Sequence, residues 1–263
     1  MPDLMLKFFI SGFVFPNLTA TGLLWGIGLS IVFGAFWLSF YWPPLFRKFG
    51  LWWIVPFSAV LTWAAIALVQ IPLQGWTGQA LVDFLGQQTV MQWLLLAAIP
   101  QILLSGLVQE GAKLVPVVVW WNRNYRDISP RMGLILGAVA GAAFGIFEAV
   151  WALNTVFAAG FTWQAIEKAG LVALLPFWER FAAVAFHIAA SALAGYGLAR
   201  GWGWKFYLLA AFLHGLLNYG AVLLQTRILT AVQLEMYASV IALVLTAVML
   251  WLRWKKSAEM VGD

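Results

Sequence analysis

The stretch from Met132 to Ala158, MGLILGAVAGAAFGIFEAVWALNTVFA, decides the fold class. Glu148 is its only charged residue, and it is longer than the ~20 apolar residues that cross a bilayer as a helix. Gly133, Gly137, Gly141 and Gly145 recur every fourth residue, which on a helix makes a smooth ridge for close packing. Glu148 continues that ridge three residues after Gly145, so its carboxylate points into the protein rather than into lipid.

The rest of the chain repeats the pattern. No charge occurs between Lys7 and Arg47, between Lys48 and Asp83, or between Asp83 and Glu110. Over the 263 residues, 63% are apolar and 10% charged, against about a quarter charged in a soluble domain; mean hydropathy is +0.90. Continuous apolar runs argue for helices and against alternating barrel strands. The reading is all-α: a polytopic transmembrane helical bundle of about seven spans, at 20–42, 51–73, 91–121, 132–158, 179–199, 206–226 and 234–252. It forms one integral membrane domain over 1–263, with a four-helix core within about 91–226. Pro43–Pro44, the stretch 71–90 with Pro72 and Gly75, Asn122 to Pro130, and Gly201–Gly203 divide the spans. An interfacial or re-entrant segment over 1–19 could make an eighth. The stretch 159–178 reads as an amphipathic helix lying on the membrane.

Seven spans place alternate loops on one side. That side collects Arg47, Lys48, Arg123, Arg126, Arg131, Arg200, Lys205, Arg253, Lys255 and Lys256, and the other only Lys7, Lys168, Arg180 and Arg227. The asymmetry puts the C-terminus in the cytoplasm and the N-terminus outside, in a bacterial-type plasma membrane. Membrane lipid is thus a partner. Nucleic acid is not, because the net charge of +5 sits in short loops rather than in a basic stripe. Without cysteine there is no disulfide framework, thiol nucleophile or Cys-ligated metal.

Inside the spans the ionisable residues are few: Glu110 and Lys113, Glu148, and the chain's two histidines, His187 and His214. An ionisable group at the bilayer centre costs at least ~2.5–3.5 kcal/mol, so such groups should face one another. At ~1.5 Å rise per residue, Glu110, His187 and Asn218 lie roughly 17–18 Å from one membrane face, His214 about 12 Å and Glu148 about 24 Å. Glu110 and Lys113 share a helix face, as do His214 and Asn218. Arg180, His187, Ser191 and Gly195 form a stripe on a fifth span, where Arg180 reads most simply as a snorkelling residue. Asp83 and Glu235 read as residues in or near external loops that need no special explanation. Two Glu, two His and an Asn at one level favour a site over separate structural roles.

These residues also fall in a recognisable order. Gln109-Glu110-Gly111-Ala112-Lys113 resembles the E-E-x-x-K motif of the PrsW-type membrane proteases, and Phe144 to Glu148 resembles their F-x-x-x-E motif. Glu179 to Ser191, with Arg180 and His187, is similar to the third motif, and His214 to Asn218 to the fourth. The combination looks closest to the YhfC-type branch, within the CAAX-prenyl-protease superfamily that also includes the scaffold subunit of γ-secretase. The resemblance implies an intramembrane endopeptidase, glutamic in type, that acts on a polypeptide substrate. Catalytic roles fall on Glu110, Glu148, His187, His214 and Asn218, and supporting roles on Gln109, Lys113, Arg180, Phe144 and Ser191. A buried carboxylate is a usable general base, while His214 and Asn218 can donate to a developing oxyanion.

Gln109 stands where the motif has its first glutamate, and a glutamine cannot act as a base. A proteolytically silent scaffold or chaperone of the same fold is therefore an alternative, and a proton- or ion-coupled transporter another. No cofactor is favoured. Zinc is possible, held by Glu148, His187 and His214, but the lysine beside Glu110 disfavours a cation nearby.

Overall fold

The computed structural model describes residues 15–124 and 126–255, so the expectation of an interfacial segment over 1–19 falls mostly outside the described residues. No strand occurs among the described residues. Eight helices carry the architecture: α1 (Ala20–Ser39), α2 (Ile54–Ala65), α3 (Ile71–Leu85), α4 (Ile99–Arg123), α5 (Pro130–Ala158), α6 (Leu175–Ala199), α7 (Gly203–Gln225) and α8 (Ala231–Trp254). With α2 and α3 read as one continuous run, seven helices are long and apolar enough to cross a membrane. The chain is an integral membrane protein, and the described residues hold the seven spans expected of them.

Helix starts follow local chemistry. Ser129 caps α5 by accepting from the Met132 amide, with Pro130 at the first position, where no donor is needed. Thr230 and Gln233 form a reciprocal capping box on α8. At one end of the bundle Arg253 donates to the Tyr41 carbonyl at 2.8 Å, Trp254 to that of Phe40 at 3.0 Å, and Arg131 to that of Lys255. The end of α8, the start of α5 and the chain after α1 thus meet at one end, as the alternation of spans requires.

Two boundaries differ from expectation. The stretch 71–90 was read as a connection, yet 71–85 is helical: a π-helical turn at Ile66–Gln70 lets the chain continue, and Pro72 sits where a new helix tolerates it. The 159–178 segment holds a short helix at Trp163–Ala169 and a 3₁₀ turn at Gly170–Leu174, but α6 already begins at Leu175. Glu235 lies within the last span as its expected bounds imply, but it is buried rather than at an exposed helix end.

α5 and α6 form the centre. In their most apolar windows 78% and 89% of residues are buried, against 28–44% in the other spans. A side chain at Gly137 or Gly141 would run into the backbone carbonyl of Ser191 or His187, so the glycine ridge of α5 lies directly against the α6 main chain. Outer helices turn Leu24, Trp25, Val60, Met236 and Val244 outward, as expected of surfaces that meet lipid.

Candidate active site

The glycine ridge sets the first pair of functional residues. With α6 pressed onto Gly141 and Gly145, His187 stands beside the α5 turn that carries Glu148, and its Nε2 donates to Glu148 Oε2 at 2.9 Å. A second close approach sets the next pair. A side chain at Gly106 of α4 would overlap the Ala211 carbonyl of α7, and one turn further along Glu110 Oε1 accepts from His214 Nδ1 at 2.6 Å. Lys113, on the same face of α4 as Glu110, joins the two pairs: Nζ donates to Glu110 Oε1 at 2.5 Å and lies 3.0 Å from His187 Nδ1.

The result is one continuous chain, Glu148–His187–Lys113–Glu110–His214, drawn from four helices. The partners fix the histidine roles. The Lys113 ammonium can only donate, so His187 accepts at Nδ1 and carries its proton on Nε2, facing Glu148. Glu110 can only accept, so His214 carries a proton on Nδ1 and turns its Nε2 away from that bond. The Glu110 and Lys113 side chains have no exposed surface. Glu148 is 22% exposed and is the carboxylate of the chain that meets solvent space. Phe144 stands edge-on to His187, with ring centroids 5.1 Å apart, and lies under the Lys113 ammonium at 5.5 Å. Ser191 donates to the second Glu110 oxygen at 3.4 Å.

Beside this chain lies a cavity of about 220 Å³ whose walls include Glu148, His187, His214 and Asn218. It reaches Glu179 and Arg180 near the start of α6 and Glu235 near the start of α8. Asn218 is not bonded to the chain; its amide donates to Ser105 Oγ at 3.0 Å, which orients it in the cavity wall. Gln109 also lines the cavity; its amide donates to Gln70 Oε1, a residue brought inward at the end of the π-helical turn.

Arg180 does not snorkel to the membrane surface. It donates to Glu148 Oε2 at 3.1 Å and pairs with Glu179, because the α6 stripe that carries His187 carries it too, seven residues earlier. Sequence reasoning also passed over Glu235, Phe186 and Gln70. A signal for Glu235 was present: Glu235, Ser239, Ala242 and Thr246 repeat at helical spacing, and all four are buried. Phe186 contacts both His187 and His214 edge-on but looks like any apolar residue. Nothing in the sequence marks the π-helical turn.

Among the described residues, Glu110, His187 and His214 offer atoms within 4.8 Å of one another, the donor types of a catalytic zinc site. This trio has Glu110 where the set suggested by sequence had Glu148. The space it brackets is already served by a cation, since Lys113 bonds two of its three members.

A family model described as PrsW family intramembrane metalloprotease matches residues 50–251, most of the chain. No curated protein and no solved structure gave a match. The description implies a metal, and the donor set is of the right type. As folded, however, the trio does not fit one: a second cation would have to displace a fully buried ammonium from its carboxylate.

Proposed function

The chain belongs to the PrsW family of intramembrane proteases, and we propose that it hydrolyses a peptide bond of a membrane-embedded or membrane-proximal polypeptide with protein side chains alone. The observation that carries this reading is the hydrogen-bonded chain from Glu148 to His214, sealed in its middle at Glu110 and Lys113 and meeting one cavity at both ends.

Glu148 is the general base. Its carboxylate reaches the cavity, and the His187 Nε2–H and Arg180 donors orient it. It takes a proton from water as the water oxygen attacks the carbonyl carbon, a role that contributes ~10²–10⁴-fold. His214, when it carries a second proton on Nε2, and the remaining N–H of the Asn218 amide donate to the developing oxyanion. Collapse of the tetrahedral intermediate breaks the C–N bond, and the proton held by Glu148 passes to the leaving amine. Products are one new carboxyl group, which keeps the second water proton or passes it to the amine, and one new amine.

Glu110 and Lys113 act through the histidines. Together they form a neutral buried pair that fixes both ring orientations without reaching substrate. Gln109 does not deprive the site of a base in this reading, because its place is in the cavity wall and two other glutamates remain. The excess of lysine and arginine at the opposite end of the bundle supports a cavity that opens on the outer side of the membrane.

The test is cleavage of a single-span peptide by purified protein in liposomes. Glu148→Gln, Glu110→Gln and His187→Ala should each abolish it; undiminished cleavage in all three ends the proposal.

A further inference from the structure

We propose that the end of the cavity nearer the helix starts is a subsite for a cationic side chain, lysine or arginine, of the polypeptide substrate, with the Glu235 carboxylate as its counter-charge. The proposal deepens the protease reading and rests on it for the identity of the ligand as a peptide.

Two independent observations point to a missing donor. Glu235 is 8% exposed, lines the cavity, and its Oε2 has no hydrogen-bond partner. On α4, Gln109 is 7% exposed, lines the same cavity, and its Oε1 likewise has none. Both unmet atoms are acceptors. A buried acceptor without a partner costs free energy, more so if charged, so each is a place for a ligand to donate.

The surrounding donors are already committed. Arg180 serves Glu148 and Glu179, the His187 Nε2 proton faces Glu148, and one N–H of the Asn218 amide has Ser105, and none of these donors reaches Glu235 Oε2 or Gln109 Oε1. Charges give the same answer. Glu148, Glu179 and Glu235 line the cavity against the single guanidinium of Arg180, while Glu110 and Lys113 cancel behind the wall. Even with His214 protonated, one carboxylate lacks a counter-charge, and Glu235 is the one with the free oxygen. An anionic substrate group beside Glu235 would meet repulsion; a neutral amide would leave the charge unmatched.

Binding without turnover tests this. Fluorescent five-residue peptides, acetyl-Ala-Leu-Xaa-Leu-Ala-amide with lysine, glutamine or glutamate at the centre, are titrated into the full-length protein in detergent and followed by anisotropy. The lysine peptide should bind at least about tenfold tighter than the glutamine peptide, the low end of coupling for close charge pairs, and the glutamate peptide weakest. Glu235→Gln should remove the lysine preference, and Glu235→Lys should turn it toward glutamate. Equal binding of the three peptides to wild type, or a lysine preference that survives Glu235→Gln, overturns the subsite. The wild-type series decides even if Glu235→Lys fails to fold. Peptide selectivity without cleavage of any membrane peptide would sink the protease reading and leave the subsite; cleavage without selectivity would do the reverse.

Discussion

Replacing Lys113 with methionine isolates the interaction on which the whole hydrogen-bonded chain depends. Methionine keeps much of the volume and removes the charge. In the folded protein the ammonium is 2.5 Å from Glu110 Oε1 and 3.0 Å from His187 Nδ1, and neither Lys113 nor Glu110 has exposed side-chain surface. Glu110 would keep only His214 and the 3.4 Å contact from Ser191. Removing one partner of a sealed ion pair costs about 3–5 kcal/mol, whereas replacing both with apolar residues is often near neutral. The Lys113→Met variant should therefore lose about 3–5 kcal/mol, and adding Glu110→Met should recover most of that loss. Unfolding by SDS can be followed by the fluorescence of the 17 tryptophans. Activity should separate from stability: His187 loses the donor that fixes its tautomer, so both variants should be inactive, including the stable one. A single variant within about 1 kcal/mol of wild type, or a double variant no more stable than the single, would refute the reasoning, because the pair would then be wet or unpaired.

Other consequences follow from the same geometry. Gly141→Ala places a methyl group against the His187 carbonyl and should cost about 1–3 kcal/mol in SDS unfolding, with a larger fractional loss of cleavage because His187 moves. Asn218→Ala removes one oxyanion donor and should lower kcat about 10²–10³-fold with KM little changed, measured on a labelled single-span peptide. Extensive treatment with EDTA should leave cleavage unchanged, and elemental analysis of the purified protein should find no stoichiometric zinc; restoration of lost activity by added zinc would contradict the place given to Lys113.

The sequence announces the bundle through its charge-free runs and announces the site through what interrupts them. Glu110, Lys113, Glu148, His187 and His214 are legible because each costs free energy in a membrane and has few reasons to be there. Their meeting was legible from depth alone, since the spans supply a common ruler. The bonding order was not. That Lys113 bridges Glu110 to His187 depends on side-chain reach, which spacing does not encode. Glu235 was discounted, and Arg180 owed its supporting role to the family resemblance alone, because position near a helix end is the usual home of a charge; only packing of α6 and α8 shows that their side chains turn inward. The π-helical turn that carries Gln70 to Gln109 is a backbone irregularity with no residue signature.

The central claim is that Glu148, oriented by His187, activates water in a cavity within the membrane. Its most direct test is the rate at which purified wild-type protein and its Glu148→Gln variant cleave the same single-span peptide in liposomes, with equal folding checked by SDS unfolding. The account requires measurable wild-type cleavage and a fall of at least about 10²-fold in the variant. A folded Glu148→Gln protein that cleaves at the wild-type rate would contradict it.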